Sequence, residues 1–545
     1  MAEVASWYRL PTEIQAMILG EIVAKANTTL KVDQASVSAK PNQGIGRLAS
    51  VCRDWQRFFE RHTFKRLLLI ESNLSGFEQV ILSRPVRLTY IQNLLLRIKL
   101  SVYNCEVCEQ PEDASIIKLN NAIFSSCIQH LLNTLASWKP GLAENPETCN
   151  SAKPGFHGLT LEISVYSPSD NNHRFNFCAQ ENDYPFRTEA DLGKTPSLLE
   201  YHRQRAALGP TAQQKKHESG TLFLHRDAKR LYGTPLKLGS TAPVLPRAPI
   251  VKGLLLRRST CRSIDVGALA QILRQSLVAL TWFRYESRRP VCYLELEDFA
   301  EGFRKTLVPA LPSSLRRLYL NETLDFSTYE KLAGLPLDAD NLALAICTNP
   351  ALGQLREFSA GYQVKAREVL SELGQRRRLL TATIPLPRCR WENLELLCLG
   401  SYTLASPRSS KSAIEMVMYE GALAALKLPK LRIMEVWGSS SQGFAHLFRY
   451  KLEHREATIT WTWCEGRPVE LPHRYDKYWR KVVLDRGGRL PVRVVQSRFS
   501  ESTAEIRDSQ GQCILKHLEL KHLNLDPISL AQIEADEAIR SESLN

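Results

Sequence analysis

The clearest metal-binding spacing in the chain is the pair Cys105 and Cys108. A Cys-x-x-Cys pair supplies half of a tetrahedral zinc site, and Cys127, His130 and Cys149 follow it along the chain. Because no second closely spaced pair completes the ligand set, the sequence leaves zinc open against a plain loop that carries two thiols. We therefore predict no resident metal and no other cofactor.

Catalytic and nucleotide-binding motifs are absent from the sequence. The segment 44–49 has the form Gly-x-Gly-x-x-Ala, but the dinucleotide fingerprint needs a preceding strand, and the polar stretch 36–43 precedes it here. No P-loop, His-Glu-x-x-His or Gly-x-Ser-x-Gly pattern occurs. Without such a motif no His, Asp or Glu can be assigned an acid, base or nucleophile role. We expect a binding protein rather than an enzyme, with no catalytic residues.

Composition is that of an ordinary folded protein, with 545 residues of which 44% are hydrophobic. The 13 cysteines are odd in number and irregularly spaced, which favours reduced thiols. The chain starts without a basic end and apolar core, and it has no apolar run of the roughly 18 residues that a membrane span requires. We expect a soluble protein of the cytoplasm or nucleus, or both, without a membrane partner.

The net charge of +14 raises the question of nucleic-acid binding. Lys and Arg are spread over the whole chain and interspersed with acidic residues, and no recognised nucleic-acid motif surrounds them. The pattern favours a solvated basic surface, or one suited to acidic partners. Nucleic-acid binding stays open only as a lesser alternative.

Two short amphipathic helices are predicted between Leu10 and Leu69. Pro11 suits the first position of a helix. Apolar residues then repeat at helical spacing in two stripes, Leu10, Ile14, Met17, Ile18 and Ile22 in the first and Leu48, Val51, Cys52, Trp55 and Phe59 in the second. Such small helices cannot bury all of their apolar surface against each other, so we expect part of it to meet a partner protein.

These residues resemble an F-box. The matching elements are Leu-Pro-x-Glu-Ile from Leu10, Leu-Ala-x-Val-Cys-Arg-x-Trp from Leu48, and Phe-x-x-Leu from Phe64. A polar insert over 27–46 departs from the family, which usually has a short connection there. The resemblance implies binding to the Skp adaptor and, through it, to a cullin ligase. The adaptor contacts that it implies are Leu10, Pro11, Ile14, Ile18, Leu48, Val51 and Trp55. The alternative is that these residues form only the core of a helical pair.

A second pattern, apolar-x-x-apolar-x-apolar, recurs through the middle of the chain. Copies begin at Leu277, Leu315, Leu355, Leu394 and Leu431, with separations of 38, 40, 39 and 37 residues. Each copy predicts a short strand with alternate apolar residues facing inward, followed by a helical stretch. The array resembles leucine-rich repeats, although its units exceed the roughly 20 to 29 residues of that family. Earlier, less regular copies begin at Ile91, Phe156 and Val251.

We therefore predict an α/β fold in three parts. Residues 1–66 form a helical F-box, and 67–442 an irregular leucine-rich-repeat-like solenoid with a curved parallel sheet. A polar insertion over 167–248 interrupts this array with loops or partial disorder. Residues 443–545 form an α+β cap and tail, with a strand at 458–463. Fungal F-box proteins with degenerate repeats are similar to this arrangement.

In such a solenoid the residues between the inward ones line the concave face, where partners commonly bind. The candidate target-binding residues are Phe283, Arg317, Tyr319, Glu357, Glu435 and Trp437. The alternative is an ordinary solvated strand face. The sequence thus predicts a substrate-recognition subunit of an SCF-type ubiquitin ligase that binds an unidentified target. Two alternatives stay open, a protein-interaction scaffold outside any ligase and a basic nucleic-acid-binding protein.

Overall fold

A computed structural model shows how the chain folds. The residues that it describes are 7, 10–28, 43–104, 106–108, 110–138, 158–172, 188–193, 197–207, 229–239, 244–260, 262–287, 300–322, 339–374, 391–440, 442–464, 473–509 and 512–544.

Helices and strands alternate along most of the chain, as expected of an α/β protein. The helices are α1 (Thr12–Thr28), α2 (Gln43–Leu48), α3 (Arg53–Thr63), α4 (Leu74–Ser83), α5 (Ala114–Ala136), α6 (Leu198–Ala207), α7 (Lys229–Tyr232), α8 (Val266–Gln275), α9 (Ala339–Thr348), α10 (Ala366–Leu373), α11 (Tyr402–Ala405), α12 (Lys411–Lys427), α13 (His473–Asp485), α14 (Thr503–Asp508), α15 (Lys521–Asn524) and α16 (Pro527–Leu544). The strands are β1 (Arg66–Ile70), β2 (Asn93–Lys99), β3 (Leu159–Tyr166), β4 (Val251–Leu256), β5 (Trp282–Ser287), β6 (Arg317–Glu322), β7 (Glu357–Ala360), β8 (Leu396–Gly400), β9 (Ile433–Ser439), β10 (Ala445–Glu453), β11 (Glu456–Trp463) and β12 (Arg489–Arg498).

The described strands form one open sheet of twelve in the order in which they occur along the chain. Strands β1 to β9 are parallel, β10 is antiparallel to both of its neighbours, and β12 is parallel to β11. The α/β class is thus confirmed. The sheet continues from β9 to β10 across residue 443, the predicted start of the cap. No helix among the described residues is both long and apolar enough to cross a membrane.

The apolar repeat predicts the strand positions correctly from β6 to β9. Each of these strands begins two residues after the first apolar residue of its copy. Leu318, Phe358, Leu397 and Met434 are register partners across neighbouring strands, and all four are fully buried. They belong to the main core, which lies between this face of the sheet and helices such as α8, α10 and α12. Apolar residues at every second strand position therefore build the core, as period-two alternation requires.

Strand β5 follows a different register from the one that the sequence predicts. The predicted copy starts at Leu277 and directs Phe283 to the opposite, exposed face. In the structure Phe283 pairs with Leu318 and is fully buried in the main core, so its expected position is wrong. Both Leu277 and Leu280 are buried, and the copy that builds the strand begins at Leu280. The two starting points differ by three residues, and a shift by any odd number of residues exchanges the two faces of a strand.

Part of the opposite face of the sheet lies beneath the C-terminal segment, which we define as residues 499–509 and 512–535. Side chains of this segment pack on strand residues in a second core. The strand residues are Tyr319, Cys398, Ile433, Trp437, Ala445 and Leu447, and those of the segment are Phe499, Ile506, Cys513, Ile514, Leu515, Leu518, Leu520, Leu523, Leu525, Leu530 and Ile533. We call this side of the sheet the covered face. The C-terminal segment therefore covers one face of the sheet instead of only following the last strand.

Part of the predicted insertion also packs against the C-terminal segment. Within its described residues, α6 contributes Leu198 and Tyr201 to a small buried cluster with Ile528 and Ala535. Nearby, the exposed end of Arg66 on β1 reaches the buried carboxylate of Asp191 at 2.5 Å. These parts of the insertion are ordered elements, unlike the loops that the sequence predicts.

Candidate functional site

The N-terminal helices α1 to α3 form a small apolar cluster of their own. Leu19, Ile45 and Phe59 are its buried centre. Trp55 packs at its margin, where its ring lies 5.6 Å from that of Phe59 and 5.5 Å from that of Trp7. One side of each predicted stripe is therefore used to hold the helices together.

The other side of the stripe on α1 faces solvent. Ile14 and Ile18 are each 40% exposed and Met17 is 67% exposed. Val51, between α2 and α3, is 59% exposed. We call these four residues, together with the exposed Pro11, the apolar ridge. Ile14, Met17 and Ile18 share one side of α1 by their helical spacing, and large exposed apolar side chains on a small helical unit are typical of a protein-binding surface.

The seven predicted adaptor contacts divide into two groups. Pro11, Ile14, Ile18 and Val51 lie on the apolar ridge. Leu10, Leu48 and Trp55 are half-buried, and the last two pack against the small core. Met17 is not among the predicted contacts, although its helical spacing places it in the same stripe and it is more exposed than Ile14, Ile18 or Val51.

A buried ion pair ties the helical pair to the sheet. Glu60 on α3 is buried, and its carboxylate accepts from Arg87 at 2.6 Å and from Arg84 at 3.4 Å. Burial alone would raise the pKa of Glu60, but hydrogen bonds from Arg87 and Gln56 hold it below its usual value. Since both arginines lie between α4 and β2, this ion pair joins α3 to the first part of the sheet.

Polar side chains of the covered face bind the main chain of the C-terminal segment. Arg284 donates to the carbonyl oxygen of His522 at 2.5 Å, and Asn321 donates to that of Asn524. Arg449 donates to the carbonyl oxygen of His517 at 2.6 Å. These strand residues therefore satisfy backbone groups that the segment would otherwise bury without partners.

Two strand carboxylates bind backbone N–H groups of the same segment. Glu435 is fully buried and accepts from the N–H groups of Glu519 and Leu520 at 3.0 and 2.9 Å. Glu286 accepts from the N–H of Asp526 and, at 2.6 Å, from the hydroxyl of Ser529. The segment is thus held by both its donors and its acceptors.

The covered face accounts for three predicted target-binding residues. Tyr319, Glu435 and Trp437 lie beneath the C-terminal segment and are buried. Burial and the neighbouring Glu357 raise the pKa of the Tyr319 phenol, which donates its hydrogen bond to Glu357. These three side chains contact the chain itself, so the prediction that they face a target from an open surface is wrong. The leucine spacing over 515–525 is the sequence signal that indicates a segment able to cover these strands.

Three strand residues near the amino ends of β5 to β7 are less covered by the C-terminal segment. Trp282, Arg317 and Glu357 are register partners in neighbouring strands. Arg317 is exposed, the other two are half-buried, and the guanidinium of Arg317 lies 5.9 Å from the Trp282 ring centroid. The indole in turn lies over Gly253, the next register partner, where a β-carbon would come within 2.1 Å of it. We call Trp282, Arg317 and Glu357 the open row, and it retains two of the predicted residues.

The cysteine pair is only partly described. Cys105 and Cys149 lie outside the described residues, and Cys108 is buried. Cys127 lies in the main core, where burial raises the pKa of its thiol to about 11, and His130 pairs with Glu78 at 3.0 Å. In the part of the chain that the structure describes, no three His, Cys, Asp or Glu side chains are grouped to hold a metal ion.

Comparison with known proteins gives one family match. Residues 310–525 match the model of a family of unknown function, DUF6546. The match begins just before β6 and ends within the C-terminal segment, so it spans both the second half of the sheet and much of the segment that covers it. Neither the curated proteins nor the solved structures contain a match.

Proposed function

We propose that this protein is the substrate-recognition subunit of an SCF-type ubiquitin ligase. On this proposal its N-terminal helices form an F-box that binds the Skp adaptor, and the sheet domain, a divergent relative of the leucine-rich-repeat arrays, carries the target. The protein itself makes and breaks no bond. It contributes by holding a target near the conjugating enzyme, which replaces a bimolecular encounter by an effectively intramolecular one.

The observation that supports this proposal is the exposure of the apolar ridge. If the helical stripes served only as a core, their large side chains would be enclosed by the helices themselves. Instead Ile14, Met17 and Ile18 remain open to solvent while Leu19 and Phe59 already fill the small core. Covering such side chains stabilises a complex by roughly 1.5–3 kcal/mol for each one fully buried.

The attachment of the ridge suits a rigid adaptor. Glu60 and its two arginine partners join α3 to the first strands with charge-assisted hydrogen bonds. A target on the sheet would therefore be linked to the adaptor through this contact. We assign target contact to the open row, where an exposed Arg beside a Trp is a favourable interface anchor.

Adaptor binding is tested by co-purifying the full chain with a Skp adaptor. The variant Ile14→Asp with Ile18→Asp places two charges on the ridge and is expected to weaken binding by about 100-fold or more. The matched control is Val80→Asp with Leu82→Asp, two exposed apolar residues of α4, which should bind normally. Equal binding by both double variants, or no adaptor binding by the unaltered chain, would refute the F-box assignment.

A second measurement separates a ligase subunit from a scaffold. The complex of this chain with the adaptor is mixed with a cullin and examined by size-exclusion chromatography. Co-elution of all three proteins is expected of a ligase subunit. A stable adaptor complex that excludes the cullin would instead identify a scaffold outside the ligase.

A further inference from the structure

The outer edge of β12 is the last strand edge of the sheet. The strand spans Arg489–Arg498 and pairs with β11 on one side, and no other described strand pairs with its far side. An unpaired edge of this length presents a row of backbone N–H and C=O groups, which is a template for one more strand.

The outward backbone groups can be assigned from the ladder with β11. Arg489 donates its N–H to Arg455 and Phe499 donates its N–H to Trp463, so the odd-numbered residues bond inward. Hydrogen-bonding direction alternates along a strand, and the N–H and C=O groups of Val492, Val494 and later even-numbered residues therefore point outward. Pro491 has no N–H, but its position is an inward one at the irregular step of the ladder. The proline thus leaves the outer row of donors intact.

Exposed side chains along the strand indicate the chemistry of an added segment. Arg489, Arg493 and Arg498 are exposed, and none has a carboxylate partner within ion-pair distance among the described residues. Leu490 and Val494 are each 43% exposed. Successive side chains of a strand point to opposite faces, so Arg489 and Arg493 lie on one face, and Leu490, Val494 and Arg498 lie on the other. Two cations on one face and two aliphatic side chains on the other complement an extended segment in which carboxylates alternate with aliphatic residues.

The same charges disfavour a second copy of this chain. An antiparallel pair of two β12 strands would carry the arginines of both copies and no acidic side chain, and this accumulation of like charge destabilises a strand pair. The overall net charge of +14 adds to this repulsion.

We infer that the outer edge of β12 binds an acidic, extended segment of a partner protein by adding it to the sheet as a thirteenth strand. Main-chain hydrogen bonds to the even-numbered residues supply affinity, and Arg489 and Arg493 select carboxylates. This site is independent of the apolar ridge and of the F-box proposal.

The test uses the full chain and a fluorescein-labelled peptide in which Val and Glu alternate. A second peptide has the same charge but carries Pro in place of every Val, which prevents it from forming a strand. Fluorescence polarisation is expected to show binding of the first peptide and not of the second. Equal binding of both peptides would overturn the inference, because charge attraction alone would then explain it. Failure of both peptides to bind at low salt would also overturn it.

Two charge-matched variants locate the binding. Arg489→Glu with Arg493→Glu should weaken binding of the Val-Glu peptide by at least about tenfold. Lys118→Glu with Arg274→Glu makes the same change of net charge at exposed helical positions and should have little effect. Equal affinities of the two variants would refute the assignment to β12, as would a dimer in sedimentation that Val494→Asp dissociates. The variant Ile14→Asp with Ile18→Asp should still bind the peptide. A failure of the β12 inference can therefore be distinguished from a failure of the F-box proposal.

Discussion

The carboxylate of Glu435 accepts the backbone N–H of Leu520 at 2.9 Å, although 85 residues separate them. The same carboxylate accepts from the Nε of Arg449 at 2.6 Å. A fully buried carboxylate is costly unless hydrogen bonds and an opposite charge compensate for its lost hydration, and here both are present. Strand β9, strand β10 and the C-terminal segment are therefore joined through one side chain.

Replacing this carboxylate should destabilise the protein strongly. Glu435→Leu leaves Arg449 without its buried partner and two backbone N–H groups without acceptors, so we expect a loss of about 3–5 kcal/mol in the free energy of unfolding. Urea denaturation measures it. The control is Glu453→Leu, which removes a half-exposed partner of Lys451 on the same strand pair and should cost under about 1 kcal/mol. Similar losses for the two variants would show that the burial of Glu435 does not determine how much its replacement lowers the free energy of unfolding.

Gly253 is predicted to be required by the ring of Trp282. A β-carbon at this position would lie 2.1 Å from Cε2 of the indole, so Gly253→Ala must displace the ring and with it the contact to Arg317. Overpacking of this kind costs about 1–3 kcal/mol. The loss is measured by urea unfolding, together with a shift in tryptophan emission as the ring becomes more exposed. Gly239→Ala, which has room for a β-carbon, is the control and should change neither measurement. An unchanged spectrum for Gly253→Ala would contradict this packing.

Strands β6 to β9 could be predicted because their signal is local. Each has apolar residues at fixed offsets, and the same residues are buried whether the sheet is viewed as repeats or as one open layer. Strand β5 shows where this reasoning fails. Leu277 and Leu280 both satisfy the pattern, and sequence alone does not say which of them starts the strand, so Phe283 was directed to the wrong face.

The covering of the sheet could not be predicted from periodicity. Its contacts join residues that are far apart in the chain, such as Arg284 and His522, and local spacing contains no information about such pairs. One indirect signal was present. The strands carry charged residues such as Glu286 and Glu435 at positions that turn out to be buried, while the stretch 514–525 is rich in leucine. For the N-terminal helices the stripes could be predicted from local spacing. Which stripe residues are exposed could not, because it depends on how the three helices pack against each other.

The N-terminal helices should unfold separately from the sheet. Phe59→Ala removes the fully buried centre of their small core, at a cost of about 3–5 kcal/mol. Because this core is separate from the main one, amide hydrogen exchange should accelerate in α1 to α3 and stay slow in β6 to β9. Phe358→Ala in the main core is the comparison and should accelerate exchange in those strands. If Phe59→Ala loosened the whole molecule equally, the two cores would be one cooperative unit.

Acid stability should depend on Glu501. Its carboxylate is almost buried and bonds to Nε2 of His517 at 2.6 Å and to the ammonium group of Lys516. Burial raises its pKa, but the hydrogen bonds from Lys516 and His517 outweigh burial and lower the pKa from 4.5 to about 2. Since the folded-state pKa lies below that of the unfolded chain, the ionised carboxylate stabilises the fold above pH 4.5, and this contribution is lost as the pH falls from 4.5 to about 2.

The variant Glu501→Gln should therefore melt at a lower temperature than the unaltered protein at neutral pH and approach it as the pH falls through that window. Melting temperatures measured at intervals from neutral pH down to about pH 2 test this convergence. Lys516→Met removes one of the groups that lower the pKa of Glu501, so its loss of stability on acidification should still begin near pH 4.5 but should be smaller and end at a higher pH than in the unaltered protein. Parallel melting curves for the unaltered protein and Glu501→Gln would mean that this carboxylate does not govern acid unfolding of the C-terminal segment.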